Sequence, residues 1–218
     1  MEKNKEIQLI LDQAAKGMGF APNSLYKMGV KPNILGAFSM LFANVRGFSG
    51  GPEVSPLTGL KLTVKNLIWT LKAKKNNQNE VPLYLKNLVS YISSNAAGCR
   101  YCQAHTALEA HENGVAIEKI QAIWAFQTSD LFTDKEKAAL NFALAASSTP
   151  NQVTQEHHSA LEKHFSEPQI VELMATISIF GFLNRWNDSM ATELEALPLA
   201  FAEKHLSDNW DVGKHKRN

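Results

Sequence analysis

An all-α fold is predicted. No sustained alternation of apolar and polar residues marks a strand or a hairpin, whereas apolar residues recur at helical spacing along most of the chain. Proline stands at 22, 32, 52, 56, 82, 150, 168 and 198, sparing 83–149 and 169–197, the two stretches richest in helical pattern.

The elements follow in order. Residues 3–17 read as an amphipathic helix ended by Gly17 or Gly19. Asn23 or Ser24 can cap a short helix, and 32–46 form another with Pro32 in its first turn. Gly50, Gly51 and Pro52 mark a loop. A helix opening at Ser55 or Pro56 runs to about Lys74, and the polar run Lys74 to Glu80 reads as a linker. A helix over 82–96 is broken at Gly98, and the next begins at Cys99 and ends before Gly114, a C′ glycine. Further helices are expected near 116–126, 134–147, 154–164, 168–183 and 186–195. Thr133 with Glu136 makes a capping box, and Thr154 is a cap candidate. Three parts are expected: an N-terminal helical segment (1–52) packing on the core, a helical domain (53–200) and a tail (201–218).

At 218 residues, 44% hydrophobic and 20% charged, the chain has an ordinary globular composition. Its net charge of +1 gives no bulk field for nucleic acid or an anionic membrane. The basic run Lys214, His215, Lys216, Arg217 reads as a frayed terminus. The N-terminal MEKNKEIQLI lacks an apolar h-region, and the most apolar window, Ile170 to Leu183, is interrupted by Glu172 and suits a buried helix. A cytoplasmic, reducing setting is expected, with neither nucleic acid nor membrane as partner.

The two cysteines, Cys99 and Cys102, lie three positions apart. Random placement gives that spacing roughly one time in a hundred, and a disulfide closing so small a loop constrains the unfolded chain little. In a reducing compartment such a pair points to catalysis or metal binding. The opening turn of a helix favours a thiolate, Arg100 adds positive charge, and His105 lies one turn beyond Cys102 on the same face. At about 100° per residue, Cys102, His105 and Glu109 fall within roughly 60° of one another. His105 could take a thiol proton while Glu109 orients the ring, the arrangement of an activated nucleophile. The other histidines (His111, His157, His158, His164 and His205) read as surface groups, and Trp69, Trp124 and Trp186 as core. A zinc site would use Cys99, Cys102 and His105 but needs a fourth ligand that no second Cys pair or close His pair supplies. No metal and no cofactor is therefore expected.

An internal similarity runs at an offset of 85. Leu88, Ile92, Ser93, Arg100 and Tyr101 align with Leu173, Ile177, Ser178, Arg185 and Trp186, and Cys99 and Cys102 then face Asn184 and Asn187. It reads either as chance between two helix pairs or as a duplicated helical unit whose first copy alone kept thiols.

The segment Ala97-Gly98-Cys99-Arg100-Tyr101-Cys102-Gln103-Ala104-His105-Thr106, together with Phe180-Gly181-Phe182-Leu183-Asn184-Arg185-Trp186, resembles the carboxymuconolactone decarboxylase-like superfamily, in particular its alkylhydroperoxidase D-like, peroxidase-related branch. The resemblance extends from about Pro22 to Glu195. It implies an alkylhydroperoxidase D-like helical bundle assembling as a homo-oligomer, a trimer or hexamer. It implies reduction of a peroxide or hydroperoxide by the cysteine pair, with Cys102 peroxidatic, Cys99 resolving and His105 in a proton relay. A small thiol or a dithiol protein would restore the pair. Two departures stand out: His105 follows Cys102 by three residues where the branch has four, and Asn87 occupies the place of its relay glutamate. Glu109, Glu80 or Glu172 is left to supply that acid. The expected activity is thus that of an antioxidant thiol peroxidase or disulfide reductase. The alternatives are a redox sensor or oligomeric binding protein that switches without turnover, and lactone decarboxylation, which does not depend on this thiol pair.

Overall fold

The computed structural model describes residues 7–8, 10–12, 15, 23–46, 56–75, 80–206 and 210–216. Among them no strand occurs, and no helix is long and apolar enough to cross a membrane. The chain forms two compact units, Met1–Glu80 and Val81–Asn218, so the stretch 53–200 read as one domain runs through both.

The first unit holds α1 (Asn23–Met28), α2 (Pro32–Arg46) and α3 (Pro56–Lys75). Its core comprises Ile7, Ile10, Leu11, Leu25, Leu35 and Trp69. The helix expected over 3–17 and the polar run after Lys75 lie largely outside the described residues.

The second unit carries α4 (Leu83–Ala96), α5 (Arg100–Glu112), α6 (Ile117–Gln121), a 3-10 turn at Ile123–Ala125, α7 (Asp134–Ser147), α8 (Gln155–Glu162), α9 (Glu167–Met190), α10 (Ala196–His205) and a 3-10 turn at Gly213–His215. Helix α4 is its axis. Leu85, Leu88, Val89 and Ile92 are fully buried and share one core with Ala104, Ala107 and Ala110 of α5, Leu140 and Ala143 of α7, and Leu173 and Ile177 of α9. The three alanines present almost no side-chain bulk, which lets α5 lie close on α4. Lys86 of α4 pairs with Glu172 of α9, whose other oxygen accepts from the Val81 amide at 3.3 Å.

Local signals are realised where the sequence carries a defined device. Thr133 and Glu136 close the expected capping box on α7, and Thr154 caps α8 through a box completed by His157. Gly114 has φ 89° just past α5.

Several expectations need correction. The helices expected at 168–183 and 186–195 are one helix, α9, which ends only where Ala191 adopts a left-handed φ of 47°. Its polar residues stay helical because they find partners: Asn184 Nδ2 donates to Ser93 O at 3.4 Å and Arg185 Nη1 to Gly181 O at 3.0 Å. The helix pair of the proposed repeat is absent here, since Leu183 holds the place that Gly98, with φ 72°, fills in the first copy. Helix α10 arises instead at 196–205, with Pro198 in its first turn. Trp69 is buried as expected, but Trp124 and Trp186 are 60% and 57% exposed; the Trp186 ring stacks on Phe182 at 6.0 Å. In the run read as a frayed terminus, residues 213–215 form a 3-10 turn and His215 is buried.

Candidate active site

Helix α4 ends at Ala96, and Gly98, at φ 72°, turns the chain into α5. An ideal Cβ at Gly98 would meet nothing within 4 Å, so the glycine is required by backbone conformation and not by space. The turn is fastened by Gly98 N to Asn95 O at 3.1 Å and Cys99 N to Ser94 O at 3.2 Å.

This fixes Cys99 as the N-cap of α5. Its sulfur takes the place of the usual capping oxygen, accepting from the Cys102 amide at 3.2 Å. A helix N-terminus and an N–H pointed at sulfur both favour negative charge there. Both cysteines are free and buried, Cys99 at 0% and Cys102 at 3% exposure.

Their ionisation is split. The Cys102 thiol donates to Cys99 and lowers the Cys99 pKa against the effect of burial; the Cys102 backbone amide adds to this. Cys102 is driven upward, first because it is the donor in that bond and then by burial and the Cys99 charge. The hydrogen bond between the two thiols thus eases ionisation at Cys99 and opposes it at Cys102, and the two sulfurs titrate as a pair.

From α9, Asn187 reaches across to Cys102, its Nδ2 lying 3.7 Å from Sγ. The offset alignment had set Asn187 opposite Cys102, so a signal for this residue existed in the sequence.

One turn beyond Cys102, His105 is half-buried. Its Nε2 lies 2.7 Å from Glu195 Oε2. The other Glu195 oxygen accepts from the Tyr101 hydroxyl at 3.0 Å, and the Tyr101 and His105 rings are 4.4 Å apart. The Glu195 pKa is lowered: burial, the largest single effect, raises it, but its own backbone amide and the bonds from His105 and Tyr101 together outweigh that. Tyr101 is pushed up to about 12, by burial first and then by Glu195.

The acid beside His105 is thus Glu195, the N-cap of α10, and not Glu109. Glu109 is exposed and offers its backbone carbonyl to Asn87 and Asn113. Glu172 is engaged by Lys86 and the Val81 amide. Arg100 is directed to Gln103 at 3.2 Å and Asp211 at 3.9 Å. Glu195 lies 90 residues from His105, and nothing in its local sequence marked it. Among the described residues, no group of three or more His, Cys, Asp or Glu side chains is arranged to hold a metal ion.

Residues 64–145, which include the thiol turn, match the model of the carboxymuconolactone decarboxylase family. The chain is 32% identical to the debrominase Bmp8, over 92% of this chain and 91% of that one, with a TM-score of 0.55. The chain belongs to the carboxymuconolactone decarboxylase family. Bmp8 is also known as a cysteine-to-alanine variant in complex with 2,3,4-tribromopyrrole. A protein of unknown function from Agrobacterium tumefaciens, ATU0492, described as an AhpD-type antioxidant defence protein, is 18% identical over 62% of this chain and 91% of its own, with a TM-score of 0.52. At that identity the likeness speaks for the fold. The uncharacterised Escherichia coli protein YnjA is 30% identical over 113 residues, and the match spans 62% of its length. The superfamily thus includes enzymes of more than one activity.

Proposed function

We propose that this chain is a dithiol-dependent reductase in which Cys99 and Cys102 deliver two electrons to a hydroperoxide. The observation that carries the reading is the N-capping sulfur of Cys99, which accepts from the Cys102 amide at 3.2 Å and whose ionisation is eased by both donors of Cys102. In the step proposed, the Cys99 thiolate attacks the terminal peroxide oxygen, the O–O bond breaks, and the departing alkoxide takes a proton from the His105–Glu195 pair. Cys99 is left as a sulfenic acid. The Cys102 sulfur displaces its hydroxyl as water, closing the disulfide. The sum is hydroperoxide plus two thiols giving alcohol, water and disulfide. A small thiol or a dithiol protein returns the two electrons.

The resemblance had implied the reverse roles, Cys102 attacking and Cys99 resolving. The hydrogen bonds directed at the Cys99 sulfur favour Cys99 as the attacking sulfur, and Asn187 then serves Cys102 as a donor when it carries charge.

A second reading is favoured by the 32% identity to a debrominase along nearly the full chain. The same thiolate could remove bromine from a small brominated heteroarene, the ring carbon taking a proton and Cys102 displacing bromide as the disulfide closes. The electron count is identical.

Consumption of cumene hydroperoxide with dithiothreitol, run beside bromide release from a bromopyrrole, distinguishes the two. The first reading expects catalytic peroxide consumption that is lost in both Cys99→Ser and Cys102→Ser. Full activity in either variant sinks the mechanism, and a single stoichiometric oxidation without turnover makes the protein a redox sensor.

A further inference from the structure

The segment 210–216 makes a series of contacts with the thiol helix and the end of α9. Trp210 Nε1 donates to Gln103 Oε1 at 3.0 Å, and Asp211 faces Arg100 at 3.9 Å. Gly213, at φ 53°, turns the backbone beside Arg100 of α5. The buried His215 donates through Nδ1 to Thr192 O at 2.8 Å, and its carbonyl accepts from Leu194 N at 2.9 Å. Between these anchors Lys214 Nζ meets Asp188 Oδ2 at 2.8 Å.

Asp188 follows Asn187, whose amide touches the Cys102 sulfur. It also lies 3.6 Å from Nε2 of His215, whose ring is 6.0 Å from that of Tyr101, the residue just before Cys102. A carboxylate so placed opposes a second negative charge nearby. Its charge works against ionisation at both sulfurs, and that of Lys214 works for it at Cys99. Lys214 and His215 of the segment lie at 2.8 and 3.6 Å from the Asp188 carboxylate, and the α5 groups on which its charge bears are Cys99 and Cys102. Arg100 is occupied by Asp211, and His105 by Glu195.

We propose that Lys214 is a positioning residue of the thiol centre: brought in by the C-terminal segment, it holds the Asp188 carboxylate in an ion pair and keeps that charge from facing the cysteine sulfurs bare. The segment would then be a working part of the site. Because Lys214 and Asp188 are 52% and 39% exposed, the effect is moderate and weakened by salt.

The test is the pH titration of thiolate ultraviolet absorbance in the reduced full-length protein. The variants are Lys214→Met, Lys214→Arg, Asp188→Asn and the double Asp188→Asn/Lys214→Met, each at low and high salt. Lys214→Met should raise the first thiol pKa by about half a unit to one unit, roughly a three- to tenfold loss of thiolate below that pKa. Lys214→Arg should titrate like the parent, and Asp188→Asn should titrate lower. In the Asp188→Asn background, Lys214→Met should have a much smaller effect, and high salt should shrink its effect in the parent. The proposal falls if Lys214→Met leaves the titration unchanged, or shifts it equally whether or not Asp188 is present. Should Lys214→Met dislodge the segment, Asp188→Asn alone still decides: no downward shift overturns the idea. The inference rests on the thiol pair being the working centre, but its readout is ionisation. If the titrations move as stated while hydroperoxide is not turned over, the proposed function fails and this inference stands.

Discussion

Replacing Cys102 by alanine removes the thiol that donates to Cys99 while leaving the backbone amide, 3.2 Å from the Cys99 sulfur, in place. A hydrogen bond to a charged group contributes about 1.5–3 kcal/mol. At about 1.4 kcal/mol per pKa unit, its loss should raise the Cys99 pKa by roughly one to two units. The N-terminal position on α5 and the amide are retained, so the rise should stop short of the value that burial alone would impose. Cys102→Ser keeps an O–H donor and should fall between the two. Thiolate absorbance against pH reads the shift directly, because Cys99 is then the only thiol in the chain. In the companion variant Cys99→Ala, Cys102 loses its negative neighbour and should ionise at lower pH than the second step of the parent pair. If Cys102→Ala titrates at or below the first step of the parent, the thiolate is not held on Cys99 and the division of labour argued above is wrong.

Other outcomes follow from the same geometry. Glu195→Gln keeps the size of the side chain but takes the negative charge from His105, and kcat/KM for hydroperoxide should fall about tenfold or more, with Tyr101→Phe milder; an unchanged kcat/KM removes Glu195 from the relay. Gly98→Ala meets no steric obstacle, yet a φ of 72° disfavours any side chain, so thermal unfolding should show a loss of about 1–2 kcal/mol; unaltered stability would mean the turn relaxes to negative φ. Glu136 is buried, but Lys119 at 2.6 Å and the Thr133 amide and hydroxyl outweigh that burial and depress its pKa. Its contribution to stability is present above the unfolded carboxylate pKa, near 4.3, and is lost as pH falls through the lower folded value. Urea unfolding over that acid range should therefore be less pH-dependent in Glu136→Gln than in the parent.

The legible parts of this molecule are those encoded by neighbours in sequence. Thr133 with Glu136, the glycines at 98 and 114, and the Cys99–Cys102 spacing each define a local device, and each is realised. The helices read near 168–183 and 186–195 are continuous because the partners of Asn184 and Asn187, Ser93 and Cys102, are supplied by α4 and α5, out of reach of a local pattern. Glu109 was chosen by helical periodicity, yet the carboxylate on His105 comes from the cap of a distant helix that no local pattern announced. The basic C-terminus read as frayed because charge composition cannot show that Lys214 has Asp188 waiting for it, or that His215 will be buried under Tyr101 and Thr192. Trp124 and Trp186 were assigned to the core by size alone, and size does not say which face of a helix is turned inward.

The most direct measurement adds one equivalent of hydroperoxide to the fully reduced protein, counts the remaining thiols and locates the product by peptide mass spectrometry. Loss of both thiols with a single intramolecular Cys99–Cys102 disulfide is the outcome expected. Two thiols still titratable, or oxidation that ends in a disulfide between chains, would contradict the claim that these two sulfurs work as one redox centre.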